Sequence, residues 1–530
     1  MPEFYRQLKN VNTTDIADAI RLGSHTMQSV FNADDRNIPF FGSSVRPHAE
    51  LRFSGAHSES HVPGRHLNAL LNAEDAIGLS LDESAVRKHA EAAYYSFSGS
   101  LPVPLNRERI DGPLVYYRTH NLREGMHALY ALVKYRQDER AHDLAEKCIA
   151  SIFELWSADT GWDVSACKQR YDLEPDERTL ISGLARVIGP LVKYYNATQS
   201  PSALDLAILL KERLLRDTFV EDGHYDRVVH GTHTHSTTCV MSSLAQLAEL
   251  TDDVALLHRV KAFYDNGLTE ISDTFGWVIE NSSDEQDEGR LDRGEINNTG
   301  DIVETALILG RFGYAEYFED AERILRCHLL PSQLRDIDFI VEPDNPDNID
   351  GLRDVAARHQ GAFGFPAPYG HEPIGAESVS FNMDIVGGGV GALCEAYRSA
   401  TRFDHTGHHI NLLFDHETDA VKIESNYTHD AFAITLKKSA PLWIRLPSWS
   451  DSTQIASTVT GGHIVGTNLF VQNHPVGDRL ALPYALPTRE IVLNHRSRDI
   501  HVKLCGDTVE SMENFGADLT FFDPHPDQEN

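Results

Sequence analysis

The sequence predicts a mainly α-helical protein with a C-terminal all-β domain, an (α/α)6 barrel followed by a β-sandwich. Three observations carry this. Apolar residues recur at i, i+3, i+4 and i+7 along about twelve segments up to roughly residue 405. Those segments fall in pairs joined by short polar turns such as RQDERA, NATQSPSA and TDDVA, a weak internal period of roughly 35–60 residues. Beyond residue 405 the period changes to two, in short runs separated by turn residues.

In chain order, the first helix is expected over TTDIADAIRLGSHTMQSVF, with Thr13 or Thr14 as its N-cap. GRHLNALLNAEDAIGL and DESAVRKHAEAAYYSFS follow, then HNLREGMHALYALVKYR with DERAHDLAEKCIASIFELW, and ERTLISGLARVIGPLVKYY with SPSALDLAILLKERLLRDTF. The series continues through HSTTCVMSSLAQLAELT, DVALLHRVKAFYDNGLTEI, TGDIVETALILGRFG and YFEDAERILRCHLL to MDIVGGGVGALCEAYRSAT. Helical hairpins must bury their apolar faces on neighbours, in an open stack or a closed ring. Irregular spacing, with long polar loops mainly before one helix of each pair, favours the ring. HINLLFD, AVKIESNY, AFAITLKK, PLWIRLPSW, HIVGTNLFVQN, DRLALPYA and REIVLNH read as strands of an antiparallel sandwich. The tail GADLTFFDPHPDQEN is expected to fray. A chain of 530 residues exceeds one ordinary core. Two domains are therefore expected, residues 1–405 and 406–530.

Composition narrows the function. A net charge of −32 argues against nucleic acid, whose phosphates need a basic face, and against anionic membranes. No run of about 18 apolar residues is present, and the N-terminal stretch lacks an apolar signal segment. Six cysteines, Cys148, Cys167, Cys239, Cys327, Cys394 and Cys505, are scattered without a CxxC pair. They read as buried thiols of a reducing compartment, so a cytoplasmic protein is expected.

The chemistry-bearing residues cluster at expected helix starts. RTHNLREG places Arg118, His120 and Asn121 before a helix, and HGTHTHSTT places His233 and His235. LDRGEINNTGDIVE supplies Asp292, Glu295, Asn297, Asn298 and Asp301. GHEPIGAESVSFNMD supplies His371, Glu372, Glu377, Asn382 and Asp384, and SESHVPGRH supplies His61 and His66. Singly, each is an ordinary cap or a satisfied polar residue. Five such starts opening on one axis suit a carbohydrate pocket. Amides and imidazoles would bind hydroxyls there, aromatics such as Tyr116, Tyr117, Trp162 and Tyr369 would face sugar rings, and a carboxylate pair would do acid/base work. The spacing of His230, His233 and His235 fits no single helix face, so no metal and no cofactor is expected. There is no GxSxG elbow or P-loop, and IVGGGVGAL lies in a helical pattern, where close packing or approach to a ligand explains its glycines.

With these segments in view, the chain resembles glycoside hydrolase family 127, the β-L-arabinofuranosidase-like proteins. HNLREGMHALYALVKYRQDERAHDLA is similar to that family's GHLIEAA-type helix and its partner, and HSTTCVMSSLAQLAELTDD to its GHAVRA-type helix. TGDIVETALILGRFGYAEYFEDAERIL resembles the helix pair after the family's ETC motif. LWIRLPSWS resembles its LRIPSW strand, and VGDRLALPYALPTRE the pattern that follows. The resemblance implies that His120 and His235 contact the sugar and that an acidic residue before the ETC position is a general acid/base. Zinc-binding members use the Glu and Cys of ETC and a later Cys-Cys pair. Here Asn298, Thr299 and Gly300 fall at the first place and SFNMD, from Ser380, at the second. The zinc ligands are missing together, so a carboxylate scheme without zinc is expected.

The expected activity is therefore hydrolysis of an oligosaccharide. Glu295 and Asp301 are the first catalytic candidates, Glu377 and Asp384 the next, and Asp284 and Glu288 lie in an acidic run that reads as a solvated loop. Expected sugar contacts are His61, Tyr117, Arg118, His120, His233, His235, Asn298, His371 and Asn382. Two alternatives stand beside this. One is a lyase or epimerase using His and Tyr on a uronate, with His120, His235, Tyr117, Arg118 and Arg293 suited to it. The other is a non-catalytic sugar-binding relative. The β-region could also mediate a homodimer.

Overall fold

The computed structural model describes residues 15–283, 292–376, 378–482, 485–496 and 498–526. Twelve helices in that range match the expected segments: α1 (Ile16–Met27), α2 (Val62–Ile77), α3 (Glu83–Ser96), α4 (Leu122–Arg136), α5 (Glu139–Leu155) and α6 (Ile188–Thr198), then α7 (Pro201–Asp217), α8 (Thr234–Thr251), α9 (Val254–Asp265), α10 (Ile296–Arg311), α11 (Glu316–Ile324) and α12 (Met383–Ser399). The N-cap of α1 is Asp15, whose carboxylate accepts the Asp18 amide at 2.9 Å, in place of the expected Thr13 or Thr14, which precede the described residues. Asp offers the same short acceptor one residue later.

The even-numbered helices pack in succession, α2 on α4, α4 on α6, α6 on α8, α8 on α10 and α10 on α12, and α12 packs back on α2. The odd-numbered helices lie outside, each packed chiefly on one inner helix. The turns show why the pairs form. α4 ends at Gln137, α6 at Gln199 and α8 at Asp252, each with φ between 51° and 59°. The very next residue, Asp138, Ser200 or Asp253, is the N-cap of the outer helix. A single left-handed residue breaks one helix and a short polar side chain starts the next. The return from outer to inner helix is long in every case, so irregular chain accumulates at the N-terminal ends of the inner helices.

The glycines of IVGGGVGAL serve helix packing. A Cβ on Gly387 would lie 2.9 Å from the backbone carbon of Arg65 on α2, and one on Gly388 would lie 2.0 Å from Asn297 Oδ1 on α10. Only hydrogen at those positions lets α12 sit between its two neighbours.

The C-terminal strands are β1 (Thr401–Asp404), β2 (Gly407–Ile410), β3 (His416–Glu417), β4 (Val421–Glu424), β5 (Phe432–Leu436), β6 (Leu442–Arg445), β7 (Gly462–Val465), β8 (Asn468–Val471), β9 (Arg479–Leu482), β10 (Thr488–His495), β11 (Arg498–Cys505), β12 (Thr508–Met512) and β13 (Asp523–Pro524). They form three sheets, ordered β9-β5-β4-β3, β7-β8-β6-β2-β1 and β10-β11-β12-β13. The first two share one apolar core that includes Ile410, Ile423, Phe432, Ile434, Ile444 and Leu469. The expected antiparallel pattern fails in two places: β6 pairs parallel with β2, and β13 parallel with β12. Between β2 and β6 the chain visits the other sheet, and such a crossover can bring it back in the same direction.

The third sheet belongs to a different core, with Phe275, Cys327 and Tyr369 of the helical part. His495 at the end of β10 is fully buried between Asp273 (3.2 Å) and Asp292 (3.1 Å). The tail does not fray over its described length: Leu519, Phe521 and Phe522 are buried, and His371 donates its amide to the Leu519 carbonyl. The apolar run LTFF drives this, because leaving it in water would forfeit its burial. All six cysteines are free thiols, five of them buried. Among the described residues no helix is long and apolar enough to cross a membrane.

Candidate active site

The long outer-to-inner connections enclose a cavity of about 320 Å³ at the N-terminal ends of the inner helices. Every inner helix contributes from its start. His61 is the residue before α2, and His120 lies in the short turn that leads into α4. Ser182 precedes α6, His233 and His235 open α8, Glu295 precedes α10, and Asn382 and Asp384 open α12. Eight of the expected residues therefore meet there: His61, Arg118, His120, His233, His235, Glu295, Asn382 and Asp384.

Glu295 is 7% exposed. Burial, with the negative charges of Glu280 and Asp384 adding to it, pushes its carboxyl up to about 8. Asn297 donates to Glu295 Oε1 at 2.7 Å, which offsets the rise only in part. Asp384 is equally buried, yet it is held at about 2. Burial alone would raise it, but the hydrogen bond to His61 Nε2 (3.1 Å) and the nearby Arg65 guanidinium (3.4 Å) outweigh burial. Its Oδ1 has no hydrogen-bond partner among the described residues. Two carboxyls on adjacent inner helices are thus driven apart, one toward the neutral acid and one toward the anion.

Beneath the cavity floor lies a buried charge cluster. Glu124, wholly buried, contacts Arg186 (3.0 Å), Arg123 (3.0 Å), Arg65 (3.2 Å) and His61 (3.4 Å). Burial would raise its carboxyl, but the three arginines and His61 together hold it well below the usual carboxylate range. Arg65 fans out to Asn297 Oδ1 (2.9 Å) and His235 Nε2 (3.3 Å). The cluster therefore fixes α2, α4, α8 and α10 relative to one another directly under the acid groups. His120 donates Nδ1–H to the Ser182 carbonyl at 2.9 Å, which leaves Nε2 as an acceptor. Burial lowers both His120 and His235 well below the ordinary imidazole value, so both are neutral.

Other expected residues lie elsewhere. Asp301 is one and a half turns into α10, so about 9 Å deeper than Glu295. It bonds to Thr238 Oγ1 (2.9 Å), and burial raises it to about 7, with Arg123 opposing the rise. Asn298 points to Thr238 and Thr234. Tyr117 is fully buried against Trp162. His371 packs between Phe381 and Phe521. These four read as pocket residues in sequence because polar or aromatic groups near a helix start look alike whether they face in or out. Glu377 lies outside the described residues, as do Asp284 and Glu288. His57, Asp176, Arg178, Glu280 and Asn281 also line the cavity and were not singled out by sequence. They sit in loops without periodicity, so no local signal marks them.

Of the three histidines in HGTHTH, His230 turns away and is buried among Phe219, Tyr225 and Phe263. His233, His235 and Glu295 have donor atoms within 4.8 Å of one another, and His233 Nδ1 is oriented by Ser236 Oγ at 2.8 Å. Those three could hold a metal ion. The thiolate set implied by the family resemblance does not fit, because no cysteine lines the cavity.

No family model matches the chain, and no curated protein matches it. Solved structures do. A GH127 β-L-arabinofuranosidase from Geobacillus stearothermophilus T6 aligns at 14% identity and a TM-score of 0.59, over 94% of this chain and 86% of that one. A second GH127 β-arabinofuranosidase aligns at 12% and 0.55, over 93% and 78%. A protein described as a glycoside hydrolase aligns at 12% and 0.55, over 84% and 76%. The chain is thus similar in fold to GH127 proteins, mainly helical with a β-rich C-terminal region, and at these identities the likeness is one of fold.

Proposed function

We propose that the chain is a glycoside hydrolase acting on an oligosaccharide, built as an (α/α)6-barrel catalytic domain (residues 1–405) and a β-sandwich domain (residues 406–530). The observation that carries the activity is the pair Glu295 and Asp384, two carboxyls lining one cavity with opposite protonation at neutral pH. Glu295 gives its proton to the leaving-group oxygen as the glycosidic C–O bond breaks. Ionised Asp384 faces the positive charge that develops on the anomeric carbon, as nucleophile or as base toward water. His120, His235 and Asn382 bind hydroxyls. The fold likeness to proteins described as glycoside hydrolases supports this reading. The His/Tyr lyase scheme loses its Tyr117, which packs on Trp162 outside the cavity.

The test uses glycosides of one sugar with poor and good leaving groups. Glu295→Gln should lower turnover of an alkyl glycoside by about 10²–10⁴-fold and that of a nitrophenyl glycoside much less, since a good leaving group needs little proton donation. Asp384→Asn should slow both. Equal losses on both substrates in Glu295→Gln would remove Glu295 from the acid role. A product lighter by one water would mean elimination. Chelator should leave turnover unchanged, and loss with chelator, restored by a divalent ion, would assign His233, His235 and Glu295 as ligands instead.

A further inference from the structure

Resting on the reading of the cavity as a glycosidase site, we infer that its substrate is an anionic sugar, one whose carboxylate or sulfate is held by Arg118 and Arg178. The wall these residues form is built by backbone pairing. The Thr119 amide donates to the Asp176 carbonyl (3.2 Å) and the Asp176 amide to the Tyr117 carbonyl (2.9 Å). The loop is thereby pinned along residues 117–119, and Arg178, two residues on, stands on the same wall as Arg118.

Neither guanidinium is neutralised in the ordinary way. Among the described residues, Arg118 and Arg178 make no ion pair within 4.0 Å, although most arginines around the site do. Arg118 is half-buried, and its one side-chain hydrogen bond is to a neutral acceptor, His57 Nε2 at 2.8 Å. That imidazole is itself fixed by Ser54 at 2.9 Å and stacked on Phe41. The nearby carboxylate of Asp176 is engaged by the Tyr116 hydroxyl at 2.7 Å. Burial, with the positive charges of Arg186 and Arg178, disfavours the charged form of Arg118, and Tyr116 and Asp176 oppose this only in part. Two guanidiniums that line one cavity without a carboxylate partner within 4.0 Å, one of them partly desolvated, are relieved by a bound anion.

The opposite wall differs. Of the other carboxyls that line the cavity, Glu280 is paired with Arg293 at 2.5 Å and Asp384 with His61 at 3.1 Å and Arg65 at 3.4 Å. The N-terminal ends of six helices also face the cavity, and their dipoles add to a positive field. A neutral sugar needs none of this. A planar carboxylate or a sulfate beside the scissile sugar matches the fork of a guanidinium.

The experiment compares glycosides that share a leaving group and differ at one carbon: a glucuronide against a glucoside, a galacturonide against a galactoside, and a sulfated sugar against its parent. The expected result is a kcat/KM at least 100-fold higher for one anionic member, with Arg178→Met raising its KM at least ten-fold more than that of the neutral partner. Preference for uronosides assigns a carboxylate, and preference for the sulfated sugar assigns a sulfate. Equal or better turnover of the neutral members overturns the inference and leaves the hydrolase reading intact. If no glycoside is turned over, that reading fails, and binding decides the inference alone. Glucuronate, galacturonate or a sulfated monosaccharide should then raise the melting temperature of the wild type where glucose does not, with the rise lost in Arg118→Met/Arg178→Met. No shift with any of them overturns it.

Discussion

Glu295 and Asp384 share a cavity and a helix-start position, but their surroundings push the two carboxyls in opposite directions. Beside Glu295 the charges of Glu280 and Asp384 add to burial and outweigh the Asn297 amide and Arg65, whereas for Asp384 the His61 hydrogen bond and the Arg65 guanidinium outweigh burial. One pKa unit is worth about 1.4 kcal/mol, so the contrast between these two groups is large beside the energy of a single hydrogen bond. The sequence made both residues candidates but paired Glu295 with Asp301, because six residues along one chain look closer than two residues on different helices. It also missed Arg65 and Glu124. A charge inside a helical pattern reads as a solvated face, and only the ring shows that these two point inward.

At the scale of the element, helix packing reaches the acid through one amide. Asn297 holds Glu295 Oε1 with its nitrogen and accepts from Arg65 with its oxygen, and that oxygen would lie 2.0 Å from a Cβ on Gly388. Gly388→Ala should displace Asn297 and weaken the bond that lowers Glu295. The falling limb of the pH–activity profile should then move to higher pH, with kcat reduced and the fold retained by circular dichroism. An unmoved limb would separate α12 packing from the acid. The twelve helices were legible because the 3.6-residue period is local. A closed ring was expected from the irregular spacing and the long loops before one helix of each pair. Which residues make its closing contact, α12 on α2, was not legible, since they lie about 320 residues apart and leave no periodic trace.

The whole molecule is tied together by buried charges at the junction of helices and sheets. His495 binds its proton more tightly in the folded state, against burial, through Asp273 and Asp292. Its contribution is full below the unfolded imidazole value and is lost as pH rises through the raised folded value. Asp292, held low against burial by His495 and Tyr369, contributes above the unfolded carboxylate value and loses that contribution as pH falls. His495→Leu should cost roughly 3 kcal/mol near neutral pH by removing the imidazole that Asp273 and Asp292 share, which leaves Asp292 to Arg498 and Tyr369. The gap in melting temperature to the wild type should narrow at alkaline pH, and a gap independent of pH would mean that His495 acts by shape alone. If a neutral Glu295 donates the proton, its titration should show in the pH dependence of kcat/KM for an alkyl glycoside. The rate should fall about ten-fold per pH unit above about 8, a limb that disappears in Glu295→Gln. A rate level through pH 9, or the same limb in Glu295→Gln, would contradict it.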